Sequence, residues 1–129
     1  MKLRVVPHSM AKLDELVAKG LPKAALRESV QQVCESPAER KRLLYRIVPE
    51  ATFKRRKDLT AEESARTERL ARIFAAARYV WNSETDARTF LNTPHALLKG
   101  HTPLEVSLTE LGARRVEELL WRLHYGIAA

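Results

Sequence analysis

Apolar residues recur along this chain three and four positions apart, which is the spacing of amphipathic helices. One such stripe predicts a long helix over 61–80 and consists of Leu70, Ile73, Phe74, Ala77 and Trp81. A second predicts a last helix over 110–125 and consists of Val116, Leu119, Leu120 and Leu123, with Ile127 in register. Further helices are predicted near 11–19, 22–35, 37–47, 50–57, 84–92 and 103–108. The pattern therefore favours an all-α fold.

The starts of several predicted helices carry polar caps. Ser36, Thr60 and Thr102 each precede a glutamate by three residues, which is the spacing of a capping box. Gly126 is the expected left-handed residue after the last helix. Only four glycines occur, with no Asn-Gly or Asp-Gly turn, so β-hairpins have little support.

The charge of the chain is unevenly distributed. The whole net charge of +7 lies within residues 1–59, because acidic and basic residues balance over 60–129. A basic half joined to a neutral half is typical of a nucleic-acid-binding module attached to a protein-binding module. A basic surface that only aids solubility would have the same composition. The basic run at 54–58 marks the predicted boundary between a domain over 1–58 and a second over 59–129.

Residues 37–57 have the pattern helix, short turn, helix. Phe53 marks the inward face of the second helix, and Arg55 lies almost opposite it, beside Thr52. We expect these outward residues to contact base edges in the major groove, and their basic neighbours to contact phosphates. The candidate DNA-binding residues are Thr52, Lys54, Arg55, Arg56 and Lys57. Arg40, Lys41, Arg42 and Arg46 of the preceding helix would add backbone contacts. The alternative is a solvated basic helix that only completes a bundle.

The last predicted helix has a second unusual face. Trp121 and Tyr125 are four residues apart, away from its apolar stripe, so they require another neighbour. Aromatic side chains in such a place are typical interface anchors. The alternative is a contact with the N-terminal half of the same chain.

Enzymatic chemistry has little support in the sequence. There is no glycine-rich phosphate loop, the four histidines are scattered, and Cys34 is the only cysteine. We therefore expect a non-enzymatic protein with no cofactor, no metal and a buried thiol in a reducing cytoplasm. No apolar run approaches the roughly 18 residues of a membrane span or forms a signal peptide, so no membrane partner is expected.

The C-terminal half resembles the toxin-binding domain of the Xre/MbcA/ParS antitoxins, which are partners of RES-domain toxins. The matching residues are Leu91, Thr93, Pro94, Leu97 or Leu98, Gly100, Thr102, Pro103, Leu104, Glu105, Thr109, Glu110, Gly112, Ala113, Val116, Glu117, Leu120, Arg122, Tyr125 and Gly126. The N-terminal half is similar, more loosely, to the Xre-type helix-turn-helix of the same proteins. That match lies in residues 52–56 and 59–64, whereas Val48, Pro49 and Glu50 supply no side-chain cap where relatives often have Ser or Thr.

The resemblance implies an antitoxin that binds and occludes an NAD⁺-degrading RES toxin and represses its own operon. In such proteins the C-terminal segment blocks the toxin pocket, and here that segment follows Trp121. It consists of His124, Tyr125, Gly126, Ile127, Ala128 and Ala129. A terminal carboxylate could occupy a site built for an anion. Because helix-turn-helix proteins commonly bind paired half-sites, we also expect a homodimer or higher assembly. The alternative function is a stand-alone regulator that uses its C-terminal domain only for dimerisation.

Overall fold

Helices form almost all of the regular structure in this computed structural model, which describes residues 9–126. They are α1 (Met10–Lys19), α2 (Lys23–Val33), α3 (Pro37–Ile47), α4 (Glu50–Arg55), α5 (Ala61–Trp81), α6 (Glu84–Leu91), a 3₁₀ turn (Ala96–Leu98), α7 (Pro103–Val106) and α8 (Glu110–Tyr125). Over this part of the chain, 76% of residues are helical and no strand forms. A single antiparallel bridge joins Pro22 to Asp58. The all-α prediction is confirmed, and none of these helices is long and apolar enough to cross a membrane.

Two of the three predicted capping boxes form in full. Thr60 and Thr102 each accept a hydrogen bond from the N3 amide, while the N3 glutamate accepts one from the N-cap amide. At Ser36 the reciprocal half is missing. Its hydroxyl accepts from the Glu39 amide and donates to the Glu39 carboxylate, but the Ser36 amide does not donate to that carboxylate. A cap of this kind contributes about 1 kcal/mol to stability.

α4 is shorter than predicted. The sequence predicts a helix to residue 57, but α4 ends at Arg55, and Arg56 has the extended conformation. The reason is a long-range contact, because the amide of Leu59 donates to the carbonyl of Leu21 at 2.9 Å beside the bridge to Pro22. Pairing with the α1–α2 connection pulls residues 57–59 out of helical geometry. α7 likewise stops at Val106, two residues before its predicted end.

α5 packs against both halves of the structure. Its buried residues are Ser64, Thr67, Leu70, Ile73, Phe74 and Ala77. Near its start the Ser64 hydroxyl accepts from the buried amide of Leu21 at 2.8 Å, which ties α5 to the beginning of α2. Further along, α5 lies against α6 and α8. The predicted stripe is confirmed except for Trp81, which is 41% exposed and lies over Phe90, with ring centroids 5.9 Å apart.

α8 contributes Val116, Leu119 and Leu120 to the core, as predicted. Leu123 does not belong to it, because this side chain is 39% exposed. Every described residue after Leu120 is exposed, so the last turn of α8 extends beyond the elements that cover its apolar stripe. The helix ends at Gly126 with φ +69°, which confirms its predicted left-handed conformation. Ile127 lies outside the described residues.

Glu110, at the start of α8, is held by arginines from two helices. Arg69 and Arg72 reach it from α5, and Arg114 reaches it from the next turn of α8. Burial raises the pKa of Glu110, but hydrogen bonds and charge from Arg72 and Arg69 outweigh burial and hold the pKa below its usual value. Arg69 also donates to the carbonyl of Leu108 at 3.0 Å. A shared network of this kind orients α8 on α5 better than an isolated surface pair would.

Gly112 allows α7 and α8 to approach each other closely. A Cβ at this position would overlap the carbonyl oxygen of Val106 and crowd the Thr109 hydroxyl that caps α8.

We expect Gly112→Ala to lower the free energy of unfolding by about 3 kcal/mol, since a rigid carbonyl cannot yield. The matched control is Gly100→Ala, where nothing lies within 4 Å and only the positive φ resists a side chain. It should cost about 1 kcal/mol. Urea unfolding measures the free energy of unfolding of both variants. An equal decrease in the two would contradict the close approach of α7 and α8 at Gly112.

Cys34 is buried with 2% exposure, as predicted. Burial raises the pKa of its thiol to about 11, and the charge of Glu39 adds to the effect. Because the folded state favours the neutral thiol, its contribution to stability is complete below pH 9.0 and is lost as the pH rises toward 11.

We expect native protein at pH 8 to resist iodoacetamide and urea-unfolded protein to react fully, as measured by mass spectrometry. Equal rates of alkylation would contradict burial. Stability between pH 9 and 11 should fall less in Cys34→Ala.

Candidate functional site

α3 and α4 are joined by a two-residue turn formed by Val48 and Pro49. Val48 is buried, and Pro49 stands at the N-cap of α4 without a side-chain hydrogen bond, as the sequence predicted. Phe53 fixes the inner face of α4 because its ring is buried and meets the edge of Tyr45, with centroids 6.3 Å apart. Lys23 of α2 donates to the Phe53 carbonyl at 2.9 Å. The opposite face of α4 is therefore left for solvent or a ligand.

The predicted DNA-binding residues divide into two groups. Arg55 and Lys57 are exposed, and within residues 9–126 neither forms an ion pair. Thr52, which precedes Phe53 in the sequence, is half-buried, and its carbonyl accepts a hydrogen bond from the Arg56 amide. Lys54 is exposed but lies 2.8 Å from Glu50, whose hydrogen bond and charge raise the pKa of Lys54. This exposed pair can exchange Glu50 for a phosphate at small cost. The role of each residue toward DNA stays a prediction.

Arg56 has a structural partner. Its guanidinium lies 2.7 Å from the carboxylate of Glu63, and both side chains are largely covered. Burial raises the pKa of Glu63, but hydrogen bonds from Thr60 and Arg56 outweigh burial, and the pKa lies below its usual value. The pair joins the end of α4 to the start of α5. Sequence analysis did not anticipate this partner, because Glu63 was assigned only to the capping box of Thr60.

The basic residues of α3 also differ in their surroundings. Lys41 and Arg42 are exposed, as a backbone-contacting surface requires. Arg40 is half-buried and donates to the carbonyl of Cys34 at 3.2 Å, so it closes the end of α2. Arg46 is exposed and lines a cleft between α3 and α5. Arg40 is therefore the member of the predicted basic surface on α3 whose side chain is engaged within the fold.

Four aromatic rings form an exposed cluster at the ends of α5 and α8. We call Tyr79, Trp121, His124 and Tyr125 the aromatic patch. Trp121 is 38% exposed and Tyr79 is 65% exposed, with their ring centroids 5.8 Å apart. His124 lies 5.3 Å from Tyr79 and 4.9 Å from Tyr125. Ring contacts of this geometry contribute about 0.5–1.5 kcal/mol beyond burial.

The aromatic patch answers part of the question raised by Trp121 and Tyr125. Their ring partners among the described residues are Tyr79 of α5 and His124 of α8, which both lie in the C-terminal half. Sequence analysis missed Tyr79, although its position off the apolar stripe of α5 could have marked it. Gly126 ends the described structure beside the patch, and the predicted toxin-binding residues Ile127, Ala128 and Ala129 lie outside it. Within the described part of the chain, no group of three His, Cys, Asp or Glu residues could hold a metal ion.

Comparison with known proteins assigns each half of the chain. Residues 12–72 match the antitoxin Xre-like helix-turn-helix domain. Residues 76–126 match the antitoxin Xre/MbcA/ParS C-terminal toxin-binding domain. The chain is also 31% identical over 91 residues to a protein named Antitoxin Xre from Pseudomonas putida KT2440, and this match covers 70% of the chain and 57% of that protein. The chain thus spans little more than half of that relative.

The two matches follow one another in the order of the helices. The first contains the α3–α4 pair, and the second contains the aromatic patch. They meet inside α5, between residues 72 and 76, while the domain boundary after residue 58 stays a prediction. The chain therefore belongs to the Xre family of antitoxins, with an Xre-like helix-turn-helix domain followed by a C-terminal domain of the Xre/MbcA/ParS toxin-binding type.

Proposed function

We propose that this protein is the antitoxin of a type II toxin–antitoxin pair, and that it binds and occludes a RES-domain toxin that degrades NAD⁺. The observation that carries the proposal is the aromatic patch, which is exposed at the end of the domain that matches toxin-binding domains. Large aromatic side chains that remain accessible at one place are the groups that anchor protein interfaces. The antitoxin itself performs no reaction and needs no cofactor in this mechanism.

The patch and the tail have different roles in the proposed inhibition. Trp121 and its ring neighbours hold the toxin, because their apolar surface is exposed to water in the free protein and becomes buried when the toxin binds. The left-handed turn at Gly126 redirects the chain as it leaves α8. Residues 127–129 then enter the toxin pocket, and their uncharged apolar side chains suit a narrow cleft. Holding and blocking are therefore carried by separate residues.

The N-terminal domain would repress transcription of its own operon in the cytoplasm. Arg55 and Thr52 on the outer face of α4 would contact base edges, and Lys54 and Lys57 would contact phosphates. Lys41 and Arg42 of α3 are exposed and would contact the DNA backbone beside α4. A homodimer would present two such units to paired half-sites. The charge of the basic half makes association depend strongly on salt.

The division between holding and blocking gives a direct test with purified toxin. Ending the chain at Gly126 should abolish inhibition of NAD⁺ hydrolysis while leaving most of the affinity. Trp121→Ala should weaken binding by about 2 kcal/mol or more, since a central aromatic anchor is lost. The matched control is Leu111→Ala, which truncates an exposed apolar residue ten positions earlier on α8, roughly 15 Å away along the helix. Calorimetry measures affinity and nucleotide turnover measures inhibition.

Three outcomes of this experiment would count against the proposal. If the shortened chain inhibits as well as the full chain, the tail does not block the pocket. If Trp121→Ala and Leu111→Ala bind alike, the aromatic patch does not hold the toxin. If no RES-domain protein binds, the chain is better explained as a stand-alone regulator.

DNA binding can be tested on the promoter of the same operon. Arg55→Ala should relax sequence preference, because it removes a base contact, and Lys57→Ala should weaken binding to all sequences about equally. Arg115→Ala, which removes an exposed charge from α8, is the control and should leave affinity unchanged. Fluorescence anisotropy over a salt series measures these effects. Promoter affinity of Arg55→Ala equal to that of the unmodified protein would exclude α4 as the recognition helix. Arg56 is a poor choice here because its loss also frees Glu63.

A further inference from the structure

A cleft of about 240 Å³ opens between α3, α5 and the turn that joins α7 to α8. Arg46 lines it from α3, Arg66 and Arg69 line it from α5, and Ser107 and Leu108 close it from the turn. Its walls therefore come from the helix-turn-helix match and from the toxin-binding match together. Neither the DNA-facing side of α4 nor the aromatic patch contributes to this cleft.

The three arginines supply positive charge along the cleft, which favours an anion as its ligand. No carboxylate lines it, although two of the guanidiniums have acidic partners outside. Arg66 uses Nη2 for the exposed Glu62, which leaves its other donors available. Arg69 uses Nε for Glu110 and Nη1 for the Leu108 carbonyl, which leaves Nη2.

Arg46 is the least committed of the three. Within residues 9–126 it forms no ion pair. Hydrogen bonds donated by Thr102 lower the pKa of Glu105, and the charge of Arg46 adds the smallest contribution. Arg46 is therefore near enough to Glu105 of α7 for an electrostatic interaction, but the two side chains form no ion pair. An anion in the cleft would supply the partner that this guanidinium lacks.

The dimensions of the cleft limit the ligand. Pockets for drug-sized molecules have volumes of roughly 300–1,000 Å³, so this cleft suits a smaller molecule. Planar guanidiniums with forked donors match the oxygens of a phosphate group better than they match a halide. A duplex is less suitable than a small molecule, because one wall of the cleft belongs to the α7–α8 turn and not to the helices that face DNA.

We propose that this cleft binds a small phosphate-bearing molecule, no larger than a diphosphate, through Arg46, Arg66 and Arg69. The bound phosphate links α3 to α5 and to the start of the α8 region, so it stabilises the arrangement of the two domains. Because it binds only the folded chain, it also raises the thermal stability of the protein by mass action.

The test uses the full chain with inorganic phosphate and pyrophosphate as probes, at constant ionic strength set with sodium chloride. Calorimetry should show saturable binding to one site per chain, and thermal unfolding should shift upward with phosphate. The double variant Arg46→Gln, Arg66→Gln should weaken phosphate binding by roughly a hundredfold, about tenfold for each charge-assisted contact. Arg69 is left unchanged because its bonds to Leu108 and Glu110 support the fold.

The control is the double variant Arg78→Gln, Arg115→Gln. It removes the same charge from exposed positions on α5 and α8, outside the cleft and outside the proposed DNA surface. The affinity of this control for phosphate should stay within about twofold of that of the unmodified protein, because the added sodium chloride screens general electrostatic attraction. If the Arg46 and Arg66 variant unfolds by circular dichroism, Arg46→Gln alone replaces it, since Arg46 has no structural ion pair.

Two results would overturn the proposal. The first is the absence of saturable phosphate binding, or an equal loss in the two double variants, either of which leaves only general attraction to a basic protein. The second is a DNA result. If the Arg46 and Arg66 variant loses promoter affinity while neither probe binds without DNA, the cleft holds a phosphate of the duplex and not a small molecule.

Discussion

The burial of α5 is the constraint on which the rest of this structure depends. A chain of 129 residues cannot build two large independent cores, so one long helix supplies apolar surface to both halves. Its covered residues include Ser64 and Thr67, whose hydroxyls bond to Leu21 and to the carbonyl of Glu63. Hydroxyls at these buried positions need partners, because an unpaired hydroxyl in the core costs about 1–3 kcal/mol. The two domains are therefore joined through a packed helix.

The same helix separates the two surfaces that we propose to bind DNA and toxin. Glu63 near its start holds Arg56 after α4, and Tyr79 near its end belongs to the aromatic patch. These positions are sixteen residues apart in sequence, which corresponds to roughly 24 Å along the axis. A partner at one end therefore need not displace a partner at the other. Between them, the arginines at 66, 69 and 72 face the cleft and Glu110, so the middle of α5 carries the contacts between domains.

Local signals in the sequence predicted most helices, because a helix cap and an apolar stripe both depend on residues only three or four positions apart. Thr60, Thr102 and Gly126 behave as their local chemistry requires. The differences have long-range causes. α4 ends early because Leu59 pairs with Leu21, and Leu123 is exposed because no element within residues 9–126 covers this side chain. The helical period places a residue on one side of its helix, but it does not tell how far the neighbouring element extends.

Charge shows the same distinction between local composition and folded arrangement. The sequence places all excess positive charge in residues 1–59, yet several of these cations are engaged within the fold. Arg56 bonds to Glu63, and Arg40 bonds to the carbonyl of Cys34. Such cations release few counterions when DNA binds, so they contribute less to affinity than their number suggests. Arg55 and Lys57 remain exposed and unpaired within residues 9–126. In the DNA-binding role that we propose, the electrostatic attraction would therefore depend on the exposed cations around α4 and not on the net charge of the domain.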